Sequence, residues 1–437
     1  MPLELLAHHY TEAGLREQAI PYWQQAGQRA VVRSANVEAI THFTKGLELL
    51  RTLPDTSERA QQELTLQLAV GALLIVTKGW AASEVGEVYA RARALCRQMG
   101  ETPQLFPVLE GLSNFYQVRG ELPTSRELAE ELISLAQTVQ DSALLVVAHG
   151  AMGSALLHMG EPAASLEHLE QGIALHNPQQ HRSHAASLQS LAAVNLWVLG
   201  YPDQALKRTY EALALAQELS LPFNLCFALA WTASLHQYRR EGQLAQERAE
   251  AAMALASEQE FSLLLAAGTI TRGWALADQG QEAEGIAQLR QGLDAYWAMR
   301  AEVVRPQFLA LLAETQGKVG QVEEGFQVLE EATAVMRKTE QHHWEAELYR
   351  LKGELTLQQL PVASCQLSVT DPRPLTPNPQ AEAEECFLQA LGVARKQQAK
   401  SLELRAAMSL ARLWQQQGKK TSPTDIVRDL RLVHRRL

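Results

Sequence analysis

Two Gly-Lys pairs are the residues of this 437-residue sequence that could most directly hold a phosphate group. A P-loop cradles phosphate with backbone amides and therefore needs a glycine five positions before the Gly-Lys pair. Gly317-Lys318 has Leu312 at that position, and Gly418-Lys419 has Leu413. The metalloprotease, serine-hydrolase and protein-kinase patterns are also missing from the sequence. We therefore expect no catalytic residues and no cofactor.

Histidines are the next candidates, because imidazole is a common metal ligand. His176, His181 and His184 lie close together in the sequence, and the last two could share one helix face. A zinc site would also need a third ligand and a second shell of carboxylates or carbonyls. The four cysteines lie too far apart to complete a zinc pattern. A polar turn is the favoured interpretation, and we expect no metal site.

Aromatic and basic side chains in the middle of the chain are candidates for binding. Trp197, His236, Arg240 and Trp274 follow one another within fewer than two repeats of the period described next. Tryptophan and arginine together are typical of binding hot spots. The alternative is that both tryptophans only pack between long helices.

A period of about 40 residues runs through the chain and must position these side chains. Six glycines mark it, each between two stretches with helical apolar periodicity: Gly120, Gly160, Gly200, Gly242, Gly280 and Gly320. In most units small residues recur five and twelve positions after the glycine and seven before it. Helices can pack with axes about 8–10 Å apart only where the contacting side chains are short. The pattern predicts antiparallel helix pairs stacked into a solenoid.

The spacing of the small residues resembles that of the tetratricopeptide repeat. The best match is the stretch from Gly200 through Ala205 to Ala212. The usual unit has about 34 residues, and we interpret the extra residues as longer helices. The predicted fold is all-α, a right-handed superhelical solenoid of antiparallel helix pairs, tetratricopeptide-like with a period near 40 residues.

The binding surface of such a solenoid is usually the concave groove lined by the first helix of each pair. Counting back from each turn glycine, positions −13, −10, −6, −3 and −2 are expected to face this groove. The predicted partner-binding residues are Asn114, Gln117, Ser154, His158, Trp197, His236, Arg239, Arg240, Trp274, Glu314 and Lys318.

Four regions are predicted along the chain. They are N-terminal short helical repeats (1–55), a regular repeat array (56–359), a Pro-rich flexible loop (360–380) and a C-terminal repeat with a basic capping helix (381–437). In the first region, the helix from about Glu17 to Arg33 is expected to belong to two units. Later helices are expected over Glu58–Thr77, Ser83–Met99, Trp344–Gln359 and Ser401–Gln417.

Composition limits the function further. The net charge of −10 disfavours a general nucleic-acid surface, which would normally be basic. The sequence has no apolar run of the length of a membrane span and no basic, signal-like start. Four cysteines in 437 residues suit a reducing compartment. We expect a soluble cytoplasmic protein that binds neither nucleic acid nor membrane.

Several strings resemble a particular bacterial family. They include Leu6-Ala-His-His-Tyr-Thr-Glu-Ala-Gly14, Gly200-Tyr-Pro-Asp-Gln-Ala-Leu-Lys207 and Trp344-Glu-Ala-Glu-Leu-Tyr-Arg-Leu-Lys-Gly353. The family is the C-terminal tetratricopeptide region of adenylate/guanylate cyclase-type multidomain proteins, which also carry a signal-transduction NTPase. This sequence begins inside the repeat region, so no cyclase or NTPase residue can be carried over. It also departs from the family near 184–196 and after Gly418.

The resemblance and the repeat together imply a non-catalytic scaffold for protein–protein interaction. We expect a protein or peptide ligand in the concave groove and, by the resemblance, a cyclase or NTPase module as a further partner. Two alternatives stay open. One is an α/α-toroid enzyme with paired acids in a ring of helices, which the low aromatic content disfavours. The other is a truncated remnant without a function of its own.

Overall fold

The structure is a computed structural model that describes residues 2–33, 35–100, 103–175, 182–359 and 378–419, with side chains omitted at 182 and 183. Over these residues the chain forms twenty α-helices and no strand. The all-α prediction is confirmed. His176, His181, most of the Pro-rich loop and the basic C-terminal helix lie outside the described residues.

The chain divides into two compact units, residues 1–151 with 299–301 and residues 152–298 with 302–437. The helices up to the division are α1 (Leu3–Glu12), α2 (Arg16–Val32), α3 (Asn36–Leu50), α4 (Ser57–Lys78), α5 (Ser83–Met99), α6 (Leu105–Val118), α7 (Leu122–Val139) and α8 (Ser142–Met159). Those that follow are α9 (Pro162–Ala174), α10 (Arg182–Val198), α11 (Pro202–Leu219), α12 (Pro222–Tyr238), α13 (Gly242–Glu258), α14 (Ser262–Asp278), α15 (Glu282–Ala298), α16 (Arg305–Lys318), α17 (Val322–Thr339), α18 (Glu345–Gln358), α19 (Pro379–Lys396) and α20 (Lys400–Gln416).

In the first unit each helix from α1 to α6 packs against the next one along the chain. Helix α2 contacts both α1 and α3, as expected for a helix shared by two units. One continuous apolar core runs through the unit from Ile20 to Ala148. The predicted helices Glu58–Thr77 and Ser83–Met99 agree within a residue with α4 and α5, so this part of the prediction is confirmed.

In the second unit the helices alternate between two roles. The first helices of the pairs, α10, α12, α14, α16, α18 and α20, each contact the next first helix, while each second helix packs beside its own first helix. We call the side on which the first helices meet the first-helix face. The predicted helices Trp344–Gln359 and Ser401–Gln417 agree within a residue with α18 and α20.

The turn between the two helices of a pair is a Schellman motif. At Gly160, the amide of the glycine donates to Leu157 O (3.1 Å) and the next amide donates to Leu156 O (2.9 Å). The glycine has φ +83°, which only glycine adopts without strain. Pro162 then opens α9, where its missing amide proton costs nothing.

One expected turn glycine was wrong. Gly242 is the first residue of α13, and Arg240 takes the left-handed position with φ +62°. Arg240 makes the same two bonds, with its amide on Gln237 O (3.0 Å) and the next amide on His236 O (2.9 Å). The turn residues therefore recur at 120, 160, 200, 240, 280 and 320, a strict interval of 40.

The small residues let paired helices touch backbone to backbone, as the sequence predicts. A Cβ atom on Gly273 would lie 2.8 Å from Leu289 N and 2.9 Å from Gly285 O. At the equivalent place in another pair, Ser165 Oγ donates to Gly153 O over 2.5 Å. These contacts leave no room for larger side chains and hold the helices of a pair at short distance.

Helix α8 is largely apolar. Within the described residues it is the one helix long and apolar enough to cross a membrane, by length and composition alone, and 56% of that stretch is buried. Gly153 of α8 packs against Leu169 of α9. Such burial is typical of a core helix in a helical-repeat array.

Candidate functional site

Three aromatic rings meet on the first-helix face. Trp197 at the end of α10 lies 5.0 Å from Tyr238 at the end of α12, and Tyr238 lies 5.1 Å from Trp344, which precedes α18 (ring centroids). Each is at most 5% exposed. The Tyr238 hydroxyl accepts a hydrogen bond from Gln307 Nε2 of α16 over 2.9 Å. We call Trp197, Tyr238 and Trp344 the aromatic cluster.

A group of buried and half-buried ionic side chains lies beside these rings. Arg350 donates two hydrogen bonds of 2.9 Å to the two carboxylate oxygens of Glu347. Arg405 donates to Glu347 Oε1 over 3.2 Å, and Arg240 donates to Glu314 Oε1 over 2.6 Å. We call Arg240, Glu314, Glu347, Arg350 and Arg405 the ion cluster. It joins the turn after α12 to α16, α18 and α20.

Glu347 is the acceptor at the centre of the ion cluster. Burial alone would raise its pKa, but the charges of Arg350, Arg405 and Arg240 outweigh burial and lower the pKa to about 2. Glu314 is shifted in the same direction, because Arg240 and Lys318 offset its desolvation. Both carboxylates are therefore ionised at neutral pH and serve as fixed acceptors for guanidinium groups.

Arg405 of α20 connects the ion cluster to the aromatic cluster. Its Nη2 donates to Tyr238 O over 2.5 Å, and its guanidinium carbon lies 5.0 Å from the centre of the Trp197 ring. One turn earlier, Ser401 Oγ donates to Trp197 O over 2.5 Å. Both acceptors are carbonyl oxygens in the last turn of a helix. Such oxygens have no i+4 amide within the helix and can accept hydrogen bonds from other groups. Helix α20 is thus fastened to the ends of α10 and α12.

Two histidines are buried at the edge of the aromatic cluster. The rings of His158 and His343 meet edge to face at 5.4 Å, and the His343 amide donates to His158 O over 3.3 Å. Burial lowers the pKa of His158 to about 4 and that of His343 to about 3. His343 Nε2 bonds Gln307 Oε1 at 3.1 Å, and His158 Nδ1 bonds Ser154 O at 2.7 Å. Both rings are neutral at physiological pH and act as packing and hydrogen-bonding groups.

Some of the predicted partner-binding residues lie close together. Arg240 lies 5.8 Å above the Trp274 ring and pairs with Glu314, and Lys318 Nζ lies 3.7 Å from Glu314 Oε1. Trp197 joins the same surface through Arg405. These residues are held by other side chains of the chain itself: Trp197 and Trp274 are 5% and 1% exposed.

The remaining predicted residues lie elsewhere. Asn114 and Gln117 are half-buried on α6 in the first unit, and Ser154 is buried on α8. His236 Nδ1 bonds Glu241 Oε2 at 2.6 Å, and Arg239 Nε donates to Glu241 Oε1 over 2.9 Å. His236 also contacts Tyr210 of α11. His236 and Arg239 therefore belong to the turn and the second-helix side, not to the aromatic cluster.

His236 and Arg239 were chosen by counting back from Gly242, whereas the turn residue is Arg240. Counted from Arg240, positions −3 and −2 are Gln237 and Tyr238, and Tyr238 is the residue that occupies the aromatic cluster. The strict interval of 40 was the signal that would have found it. The same interval relates Gln307 to Glu347, so this part of α18 could also have been predicted.

An accessible strip of rings continues the face along α12. Phe223 and Phe227 lie 6.2 Å apart and Phe227 and Trp231 5.9 Å apart, at intervals of four residues. Phe223 is 45% exposed, and the other two are partly exposed. Tyr238 follows Trp231 by seven residues, two helical turns, and so lies on the same side of α12. We call Phe223, Phe227 and Trp231 the aromatic stripe.

Among the described residues no group of three or more His, Cys, Asp or Glu side chains could hold a metal ion. The cysteines Cys96, Cys226 and Cys386 are buried free thiols, and Cys365 lies outside the described ranges.

Solved structures with the same fold were found by comparison. A Rap protein complexed with competence and sporulation factor matches with a TM-score of 0.53 and 10% identity, over 91% of this chain and 98% of that chain. NprR in complex with its cognate peptide NprX matches with a TM-score of 0.51 and 12% identity, over 86% and 99%. The apo form of RapI matches with a TM-score of 0.50 and 13% identity, over 63% and 97%. The chain therefore has the tetratricopeptide-type helical-repeat fold.

One curated relative is an uncharacterized protein of Rhizobium meliloti (strain 1021), 24% identical over 361 residues. The match covers 80% of this chain and 35% of the relative, so the chain spans about a third of that protein's length. No protein-family model matches the chain.

Proposed function

We propose that this chain is a non-catalytic scaffold that binds a protein segment on the first-helix face of its second unit. The observation that carries the proposal is the aromatic stripe. Three rings in line on α12 are accessible at one end of a face whose other end, at Tyr238, is packed and hydrogen-bonded. Accessible rings on a rigid base are typical of binding hot spots.

The stripe suits a peptide better than a small molecule. Phe223, Phe227 and Trp231 cover two turns of helix, about 12 Å at 1.5 Å per residue. Phe261 meets Phe223 edge to face at 5.5 Å and widens the surface toward α14. A helix or extended segment with apolar side chains at matching intervals could bury all of these rings. Each buried aromatic ring contributes a large apolar area.

The fold supports this proposal by similarity. NprR, which shares the fold, has been solved with its cognate peptide NprX. The partial coverage of the Rhizobium meliloti relative and the sequence resemblance support a role as the sensory part of a longer bacterial signalling protein with a cyclase or NTPase module. In that setting the scaffold is cytoplasmic, and peptide capture acts on the attached module through different affinities for its states.

The charges of the site favour binding over catalysis. A toroid enzyme needs one carboxylic acid with a raised pKa to act as the proton donor. In the described part of the chain, the carboxyl groups with a shifted pKa, including Glu314 and Glu347, are shifted downward by basic or hydrogen-bonding partners. We infer that these groups are ion-pair partners.

Selection of peptides from a display library against the full chain tests the proposal. A selected peptide is expected to bind the Phe227→Ala/Trp231→Ala variant at least about tenfold more weakly, because hot-spot rings contribute upward of about 1.4 kcal/mol. Trp297→Ala is the matched control, since Trp297 is a 58%-exposed tryptophan on α15 away from the stripe. Equal loss in both variants, or no selected peptide at all, would refute the proposal and favour a remnant without its own partner.

A further inference from the structure

Arg405 occupies a pocket made for a guanidinium group. The pocket has three walls: the Trp197 ring, the Tyr238 carbonyl oxygen and the Glu347 carboxylate. A ring face, a helix-terminal carbonyl and a carboxylate are three independent ways of recognising the same planar cation. The side chain that fills the pocket comes from 167 positions further along the chain than Tyr238.

The described contacts of α20 with α10 and α12 include two hydrogen bonds and the Arg405 guanidinium over the Trp197 ring, while the apolar cluster of α20 lies elsewhere. Ala406, Leu410 and Leu413 of α20 belong to an apolar cluster with Phe387 and neighbouring residues of α19 and with Tyr349 of α18. Among the described residues, none from α10 or α12 belongs to that cluster. Arg405 and Ser401 can therefore leave the ends of α10 and α12 without that apolar cluster being broken open.

The groups that remain around the pocket indicate what it would bind once Arg405 has left. The charged groups that act most strongly on Arg405 are the carboxylates of Glu347 and Glu314 and the guanidinium groups of Arg240 and Arg350. The carbonyl ends of α10 and α12 add partial negative charge. Without Arg405 the two carboxylates and two guanidinium groups balance, and the pocket leaves the Tyr238 carbonyl oxygen and Glu347 Oε1 as acceptors that fit a planar cation.

We propose that α20 is a self-ligand, and that its site recognises an arginine-bearing helical segment of a partner protein. In α20 the recognised pattern is a serine followed four residues later by an arginine, Ser401 and Arg405 on one side of the helix. A partner segment with this pattern competes with α20 for the ends of α10 and α12. This inference rests on the proposed function, because it names the chemistry of the segment that the first-helix face binds.

Fluorescence anisotropy with a labelled peptide of residues 400–416 tests this on the full chain. In the wild type the site is filled, so binding is expected to be weak. Arg405→Ala empties the pocket and removes the bond that fastens α20 to α12, so α20 competes less well with the added peptide. This variant is expected to bind the peptide at least about tenfold more tightly. Arg412→Ala is the matched control, because Arg412 is an exposed arginine of the same helix. A peptide that itself carries Arg405→Ala is expected not to bind.

Arg405→Lys is a second, more conservative variant, in case Arg405→Ala does not fold. Lysine keeps the positive charge but lacks the planar guanidinium fork and its contact with the ring. Its affinity for the peptide is expected to lie between those of the wild type and Arg405→Ala. Equal affinity for all variants that show wild-type helical circular dichroism would overturn the proposal. A dimer that forms through exchange of α20 between two chains, seen by light scattering and lost in Arg405→Ala, would also overturn it by assigning the site to a second copy.

The two proposals fail in different ways. If library peptides bind at Phe227 and Trp231 but the 400–416 peptide binds no variant, the self-ligand is wrong and the scaffold function stands. If library peptides do not bind there either, both are wrong.

Discussion

Arg405 and Tyr238, 167 positions apart, are joined by a 2.5 Å hydrogen bond from the guanidinium of α20 to the last carbonyl of α12. In a solenoid whose units touched only their nearest neighbours, such a contact would not form. Here the first helices of distant repeats meet, through the aromatic cluster and the ion cluster. The first-helix face of the second unit is thus part packed core and part accessible surface, and the predictions below separate the two.

Glu347→Ala is expected to be strongly destabilising. The substitution leaves Arg350 and Arg405 buried without their carboxylate, and removing one partner of a buried ion pair costs about 3–5 kcal/mol. Urea denaturation monitored by circular dichroism measures the change. Glu324→Ala, at an exposed position of α17, is the control and should change the free energy of unfolding by less than about 0.5 kcal/mol. Equal effects of both substitutions would show that the ion cluster does not stabilise the fold.

Stability is expected to fall as the pH drops below 6.5. His158 and His343 have folded-state pKa values of about 4 and about 3, below their ordinary value of 6.5, because they are buried. The unfolded chain therefore binds protons first, and each histidine contributes a loss of about 2 kcal/mol between pH 6.5 and pH 5. Below about pH 4.5 protonation of unfolded Glu347 adds to the loss, since its folded pKa is about 2. Urea midpoints from pH 7.5 to 5 measure the slope.

The control for the pH dependence is His343→Asn, which removes one of the two buried imidazoles. The variant should be less stable at pH 7.5 but should lose stability more slowly as the pH falls. A slope identical to that of the wild type would rule out His343 as a source of the acid sensitivity.

Two glycine-to-alanine substitutions are expected to change the stability of the chain in opposite directions. Gly273→Ala places a methyl group 2.8 Å from Leu289 N and 2.9 Å from Gly285 O, and overpacking of this kind costs about 1–3 kcal/mol. Gly392→Ala, within α19, meets no atom of the described residues within 4 Å and should stabilise the chain by about 0.5–1 kcal/mol. Thermal melts compare the two. A stabilising Gly273→Ala would contradict the close approach of α14 and α15.

The tryptophans of the first-helix face are expected to divide into packing and binding residues. Trp274→Ala should cost about 3–5 kcal/mol, because the ring is 1% exposed. Trp231→Ala should cost much less, because that ring is partly exposed, yet it should weaken peptide binding. Denaturation and anisotropy on the same two variants measure this. A weakly destabilising Trp274→Ala would place that ring outside the core.

Much of the fold could be predicted from the sequence. The turn glycines and the small residues at fixed distances from them led to the helix pairs and to the bounds of α4, α5, α18 and α20, because backbone geometry allows few residues at such positions. The residues predicted to bind a partner lie on more than one surface. Trp197, Arg240 and Glu314 do lie on one surface, whereas His236 and Arg239 turn toward Glu241 and α11.

What the sequence could not show is contact between distant repeats. A repeat pattern specifies how each unit packs on the next. Whether Trp197, Tyr238 and Arg405 meet depends on how several successive units stack, which the pattern does not specify. The same limit hid the burial of Trp274, since tryptophan suits both a core and a binding surface. The aromatic stripe could have been found from Phe223, Phe227 and Trp231, whose spacing of four residues places them on one side of α12.

The most direct test is amide hydrogen exchange of the full chain, measured with and without a saturating amount of a library-selected peptide. It shows where on the chain the peptide binds. We predict slower exchange in fragments that cover 221–238 of α12, and faster exchange in fragments that cover 400–416 as α20 is displaced. Slower exchange in α12 without a change in α20 would keep the scaffold function and reject the self-ligand. Protection confined to the first unit or to the second helices would contradict binding on the first-helix face.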